Sequence, residues 1–181
     1  MGSQESTVGI FDDSDTAPNI VSSVADTVTQ ALAPAPQDDA DAPPATETAL
    51  HHFYCVEYAR LRSGFEIFGD ARTWWARAKN LYDEITTPAA DAVMVFSSSS
   101  RIRKGHVAVV TKVISPREIR VDQANWQNHG EIDKNTPILD VSPSNNWSEV
   151  RVWDMRSGQF GGHVYRISGF ITRPVPIATA D

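Results

Sequence analysis

The residues of this chain with the clearest chemical potential are one thiol, one imidazole and two amides. Cys55, the only cysteine, opens a predicted short helix, where unsatisfied backbone N–H groups and the helix dipole favour a thiolate. His106 begins an apolar strand about fifty residues later. A histidine beside such a thiol can take its proton, so the pair is typical of nucleophilic catalysis.

The next predicted strand offers a third member for this pair. Side chains alternate between the two faces of a strand, so Gln123 and Asn125 point one way and Asp122 points the other. If His106 and the two amides face one cleft beside Cys55, the result is a nucleophile, a base and a group that orients the base. That is the arrangement used in acyl transfer, and either amide or both could orient the histidine.

Two helices and several strands must position these residues. The pattern predicts a helix over 54–63, with Gly64 as a left-handed cap, and a second helix over 70–79 that begins at Asp70. The second helix carries Trp74, Ala78 and Leu81 on one side. The predicted strands are 91–96, 106–114, 118–123, 149–153 and 164–171.

Helices followed by strands indicate an α+β fold in which N-terminal helices pack on an antiparallel β-sheet. The polar stretch 127–148 is predicted to be a long loop and a plausible substrate rim.

The chain divides by composition into a tail and a domain. The first fifty residues contain nine acidic residues and no Lys or Arg, which leaves 14 acidic and 16 basic residues elsewhere. We therefore predict a disordered acidic tail over 1–48, with a transient helix over 19–32, a folded domain over 49–175 and a C-terminal tail over 176–181.

These features argue against several classes of protein. A nearly neutral domain does not suit nucleic-acid binding, and no segment is long and apolar enough to span a membrane. The first thirty residues lack the basic start and apolar core of a secretory signal. One cysteine forms no internal disulfide, and the spacing of the other histidines fits no usual metal site: His51, His52, His129 and His163.

Four strings of residues, in this order, resemble the CHAP family of cysteine, histidine-dependent amidohydrolases and peptidases. They are YCVEYAR at 54–60, GDA at 69–71 with WW at 74–75, GHVAVV at 105–110 and QANW at 123–126. The resemblance covers roughly residues 50–172. It implies a papain-like fold of the NlpC/P60 type, cleavage of amide bonds in peptidoglycan and no need for a cofactor.

The resemblance also assigns roles to individual residues. Cys55 matches the nucleophile, His106 the general base, and Asn125 the asparagine of the closing motif. Gln123 stands where many members carry an acid, and Tyr54 where a glutamine often helps to bind the oxyanion. Trp74 is expected in the core, whereas the other two tryptophans could line the cleft or fill the core: Trp75 and Trp126.

The function expected from these residues is peptidoglycan hydrolysis, as an amidase or a peptide-crosslink endopeptidase. Two alternatives are a weakly active or inactive module that binds wall fragments or a partner, and an amidase for a soluble peptide. We expect the protein to be a monomer. We expect it to act in the cell envelope or periplasm, or to be secreted, because peptidoglycan lies outside the cytoplasmic membrane.

Overall fold

The computed structural model describes residues 42–47 and 51–174. The helix predicted over 19–32 and the C-terminal tail 176–181 lie outside these residues. The helices are α1 (Cys55–Ser63) and α2 (Trp74–Ala78), with a 3₁₀ turn at Ala71–Thr73. The strands are β1 (Ala45–Glu47), β2 (Asp83–Ile85), β3 (Val93–Phe96), β4 (His106–Ser115), β5 (Glu118–Ala124), β6 (Ile132–Asp140), β7 (Glu149–Asp154), β8 (Gln159–Phe160) and β9 (Tyr165–Thr172).

The described part of the chain is mostly strand, and its sheet closes on itself. Antiparallel pairing runs from β3 through β4, β5, β6, β7 and β9 and returns to β3, which makes a six-stranded barrel. The two helices in this part have only nine and five residues. The predicted α+β fold, with papain-like N-terminal helices packed on an antiparallel β-sheet, is therefore wrong.

The barrel closes through a strand that the sequence pattern hides. β6 lies inside the stretch 127–148 that was predicted to be a loop, and it pairs with β5 on one side and β7 on the other. It contains Pro137 and the buried polar residues Asp133, Asn135 and Thr136, which are more typical of loops. Without β6 the remaining strands could form only an open sheet.

The core occupies both sides of β3 and β4. Alternate residues such as Met94 and Ala108 join side chains from the other barrel strands in one buried cluster, which fills the barrel interior. Their neighbours Val95 and Val107 face outward and pack with Trp74 and other helix residues in a second cluster. The short helices thus cover the outer side of these two strands, and Trp74 lies in the core as predicted.

Helix α1 is defined at both ends by local hydrogen bonds. The Tyr54 backbone N–H donates to Glu57 Oε2 at 3.0 Å, which satisfies a donor that precedes the first turn. Gly64 takes the left-handed conformation at φ 69°, as predicted, and its N–H donates to the Arg60 carbonyl at 2.7 Å. Cys55 is therefore fixed as the first residue of a regular helix.

A buried carboxylate ties α1 to the barrel. Asp122 on β5 is 5% exposed, and Arg62 Nε of α1 lies 3.6 Å from its Oδ2. Lys134 Nζ of β6 lies 3.4 Å from the same oxygen, and the Asn135 backbone N–H donates to Oδ1 at 3.0 Å. Because Asp122 directly precedes Gln123 on β5, this network fixes α1 relative to the strand that carries the amide.

The second predicted helix is shorter than expected. Residues 70–79 divide into the 3₁₀ turn and α2, and Asp70 precedes the turn without a side-chain cap hydrogen bond. Leu81 is 62% exposed instead of packing with Trp74 and Ala78. At the other end of the chain, β1 lies within the predicted tail and pairs with β6.

No helix in the described ranges is long and apolar enough to cross a membrane.

Candidate active site

Cys55 is the first residue of α1 and lies against β4. Its side chain is half-buried, and backbone amides of Val107, Val56 and Cys55 itself interact with the thiol. Burial raises the pKa of the Cys55 thiol, and these backbone amides oppose the rise. Since Val107 directly follows His106, the contact with its amide brings the thiol beside the start of β4.

His106 opens β4 and is held by an amide from the neighbouring strand. Its Nε2 lies 2.9 Å from Gln123 Oε1, and both side chains are buried. An amide oxygen only accepts hydrogen bonds, so this contact requires the proton on Nε2. The lone pair of neutral His106 is then on Nδ1, where it can accept a proton.

The surroundings of His106 are apolar. The Trp126 ring centroid lies 4.7 Å from that of His106, and the Phe96 ring lies 5.4 Å away. Burial lowers the pKa of His106 to about 4, and the hydrogen bond that His106 donates to Gln123 only partly opposes this shift. His106 is therefore neutral at physiological pH.

The side-chain amide of Gln123 is only half satisfied among the described residues, because its oxygen is hydrogen-bonded and its nitrogen is not. The side chain is fully buried, and its Nε2 has no hydrogen-bond partner among the described residues. The Gln123 amide thus carries no charge that could balance an imidazolium. Its contribution to His106 is orientation and the choice of tautomer.

A tight turn before β4 positions His106. Gly105 has φ +71°, and a Cβ atom there would lie 2.7 Å from the Arg72 backbone nitrogen and 2.9 Å from the Phe96 carbonyl oxygen. The Arg72 N–H donates to the Lys104 carbonyl at 2.7 Å, which holds the turn against the 3₁₀ segment. Glycine is therefore required where the chain enters the strand.

Cys55 and His106 open into one cleft with a volume of about 690 Å³. The residues that line it are Tyr54, Cys55, Arg101, Ile102, Arg103, Lys104, Gly105, His106, Asn125, Trp126, Gln127, His163 and Tyr165. A second cavity of about 330 Å³ shares Tyr54, Cys55, Lys104 and Gly105 with it and extends past Phe68. The Cys55 thiol thus lies where two cavities meet.

The structure brings most of the sequence-predicted residues together. Tyr54 is 67% exposed beside Cys55, and Trp126 both contacts His106 and lines the cleft. Asn125 is exposed at φ 60° and also lines the cleft, but His106 donates its hydrogen bond to Gln123.

Trp75 lies elsewhere in the fold. It packs over β9, where a Cβ on Gly169 would lie 2.5 Å from its ring, and the structure does not bring it to the cleft.

Several cleft residues were not identified from the sequence. Arg101, Arg103 and Lys104 form the loop before His106, and His163 and Tyr165 come from the start of β9 and the residues before it. The sequence signal that could have identified the basic residues of the cleft was their close spacing immediately before Gly105 and His106. Across residues 42–47 and 51–174, no group of three or more His, Cys, Asp or Glu side chains could hold a metal ion.

Comparison with known families supplies independent information on this segment. The family model of the CHAP domain matches residues 47–125, which include Cys55, His106 and Gln123. No curated protein matches the chain significantly. Residues 47–125 of this chain are therefore similar to the CHAP domain, and this match suggests a peptidoglycan-related amidase or peptidase.

Proposed function

We propose that this protein hydrolyses amide bonds of peptidoglycan through an acyl-enzyme formed on Cys55. The observation that carries the proposal is the pairing of a helix-terminal thiol with a buried histidine whose Nε2 is bonded to Gln123 Oε1. That bond leaves Nδ1 of His106 as the proton acceptor, and both Cys55 and His106 line the same cleft. The CHAP match supports the class of substrate.

The reaction follows from these positions. His106 Nδ1 takes the proton of the Cys55 thiol as Sγ attacks the carbonyl carbon of the amide. The backbone N–H of Cys55, with the Tyr54 hydroxyl, is the proposed donor set for the oxyanion. His106 then gives its proton to the leaving amine, and the carbon–nitrogen bond breaks. Water, deprotonated by His106, attacks the acyl carbon and the carbon–sulfur bond breaks. His106 then returns its proton to Sγ, which restores the thiol.

The two cavities that meet at Cys55 support an extended substrate. One contains the basic loop and Trp126, and the other extends past Phe68, which is 61% exposed. A polymer could lie across the thiol with chain on both sides of the cleaved bond. This suits either an N-acetylmuramoyl-L-alanine amidase or a peptide-crosslink endopeptidase, acting in the envelope or outside the cell.

A second candidate is a weakly active or inactive module that binds wall fragments. The observation that favours it is electrostatic: burial raises the pKa of Cys55 and lowers that of His106 to about 4, so both groups are neutral at rest. A neutral pair must separate charge inside an apolar site before it can attack. Hydrolysis of a soluble peptide amide is the remaining alternative, because the catalytic pair alone does not select a polymer.

Digestion of purified peptidoglycan tests the proposal and sorts these candidates. The proposed reaction releases soluble fragments with new free amino groups and no new reducing sugar ends. Binding to peptidoglycan without fragment release would support the inactive module. Cleavage of soluble peptide amides with intact peptidoglycan left untouched would support the third candidate.

A further inference from the structure

The cleft beside Cys55 is cationic, although the whole chain carries a net charge of −7. Its lining includes three basic residues, Arg101, Arg103 and Lys104, and contains no Asp or Glu among the described residues. All three belong to the loop that joins β3 to β4, and all three are exposed. A substrate that enters this cleft therefore meets positive charge close to the thiol.

The three charges are not equivalent. Lys104 Nζ lies 3.5 Å from Asp70 Oδ1, so a carboxylate outside the cleft already balances it. Within residues 42–47 and 51–174, neither Arg101 nor Arg103 forms an ion pair with a carboxylate. These two guanidinium groups are the cations of the cleft that are open to an anion.

Hydrogen bonds and packing at Ile102 hold the backbone of the loop that carries the two arginines. Ile102, between them, is half-buried and packs against the barrel core. The Ser99 N–H donates to the Ile102 carbonyl at 3.2 Å, and the Gly105 N–H donates to the same oxygen at 2.8 Å. With Ile102 anchored inward, Arg101 and Arg103 extend from either side of a pinned residue, and less ordering is needed when an anion binds.

The charge of Arg101 affects the pKa of the Tyr165 hydroxyl in the cleft. Tyr165 lines the cleft, and its hydroxyl accepts a hydrogen bond from Gln127 Nε2 at 3.3 Å. Burial raises the pKa of Tyr165, while the positive charge of Arg101 opposes the rise. The positive charge of Arg101 therefore lies close enough to act on the Tyr165 hydroxyl, and both residues line the same cleft.

We propose that Arg101 and Arg103 select a substrate that carries a carboxylate close to the amide bond that Cys55 attacks. Guanidinium groups bind carboxylates through paired, charge-assisted hydrogen bonds, which gives them an advantage over neutral carboxamides of the same shape. The inference rests on the proposed function, because it takes the cleft beside Cys55 as the substrate site. The two arginines are specificity determinants and take no part in bond cleavage.

A matched set of synthetic peptides tests this preference. Each member has the same cleavable amide bond, and a glutamate near that bond is exchanged in turn for glutamine. We expect one glutamate position to lower KM by about tenfold relative to its glutamine partner, with little change in kcat. Arg101→Gln and Arg103→Gln should each reduce the preference, and the double variant should remove it. Arg151→Gln, an exposed arginine of β7 outside the cleft lining, is the matched control.

Binding to a Cys55→Ala variant separates this inference from the proposed function. The dissociation constants of the same peptides are measured by titration, which needs no turnover. A glutamate preference that the double variant loses supports the inference even if the wild-type protein cuts nothing, in which case only the proposed function fails. Equal affinity for every glutamate and glutamine pair, or a preference that persists in the double variant, overturns the inference.

Discussion

His106 Nε2 lies 2.9 Å from Gln123 Oε1, inside the protein and beside the ring of Trp126. The proposed base is thus oriented by a neutral amide and surrounded by apolar side chains. This arrangement fixes the tautomer that can accept a proton from Cys55, but it offers no negative charge to the imidazolium that forms.

Gln123→Glu should supply the missing charge. A carboxylate at the position of the amide favours protonated His106, so we expect its pKa to rise from about 4 by one unit or more. The measurement is an NMR titration of the His106 ring. Gln127→Glu, which places an acid at an exposed position in the same cleft, is the control and should move the pKa of His106 much less. An unchanged pKa in Gln123→Glu would show that the bond to Gln123 does not govern His106.

The pH dependence of Cys55 alkylation should follow the ionisation of the thiol. Burial raises the pKa of Cys55, so the thiolate fraction is small at neutral pH and increases as the pH rises. His106 stays neutral above about pH 4. We therefore expect the rate of Cys55 alkylation by iodoacetamide to rise through pH 9, with no inflection near 6.5. A bell-shaped profile centred near neutrality would contradict the described electrostatics.

Acid should weaken the fold through His106. The pKa of His106 is about 4 in the folded state, against an ordinary histidine value of about 6.5, so between these limits the unfolded state binds more protons. The contribution of neutral His106 to the free energy of unfolding is fully present above pH 6.5 and is lost as the pH falls towards 4. The loss is about 3 kcal/mol, because each pKa unit contributes about 1.4 kcal/mol. Urea unfolding of the wild type and of His106→Gln at both pH values measures the difference. His129→Gln, which changes an exposed histidine, should keep the wild-type pH dependence.

The turn that precedes β4 should be intolerant of any side chain. Gly105→Ala places a Cβ 2.7 Å from the Arg72 backbone nitrogen, and we expect a loss of about 2 to 4 kcal/mol in the free energy of unfolding. Gly158→Ala is a matched control, because Gly158 also has a positive φ of +64° but has no atom within 4 Å of its Cβ position. That variant should lose only about 1 kcal/mol. Equal losses would mean that backbone conformation, and not the close approach, sets the requirement.

The local features of the site were predictable from the sequence, whereas the closed architecture was not. Helix α1 ends at Gly64 as predicted, because a left-handed cap is a local property of the chain. Strand β6 was missed because its buried polar residues have hydrogen-bond partners that are distant in sequence. Asp133 of β6, for example, accepts a hydrogen bond at Oδ1 from Thr46 Oγ1 at 2.7 Å. Barrel closure depends on the pairing of β6 with β7, which no short sequence pattern encodes.

The cleft shows the same division between local and distant information. Strand alternation correctly separated Asp122 from Gln123, and these residues contact different partners on the two sides of β5. Alternation could not separate the roles of Gln123 and Asn125, because the strand ends at Ala124 and Asn125 turns to φ 60°. Arg101 forms no ion pair with a carboxylate of residues 42–47 and 51–174, and this depends on positions in space that the linear sequence does not reveal.

The most direct test of the central proposal compares fragment release by the wild-type protein and by Cys55→Ala. Both proteins are incubated with purified peptidoglycan, and soluble products are identified by mass spectrometry, with matching circular dichroism spectra to show that the variant is folded. We expect amide-cleaved fragments from the wild type and none above the buffer blank from Cys55→Ala. Release of the same fragments by Cys55→Ala at the wild-type rate would contradict the proposal.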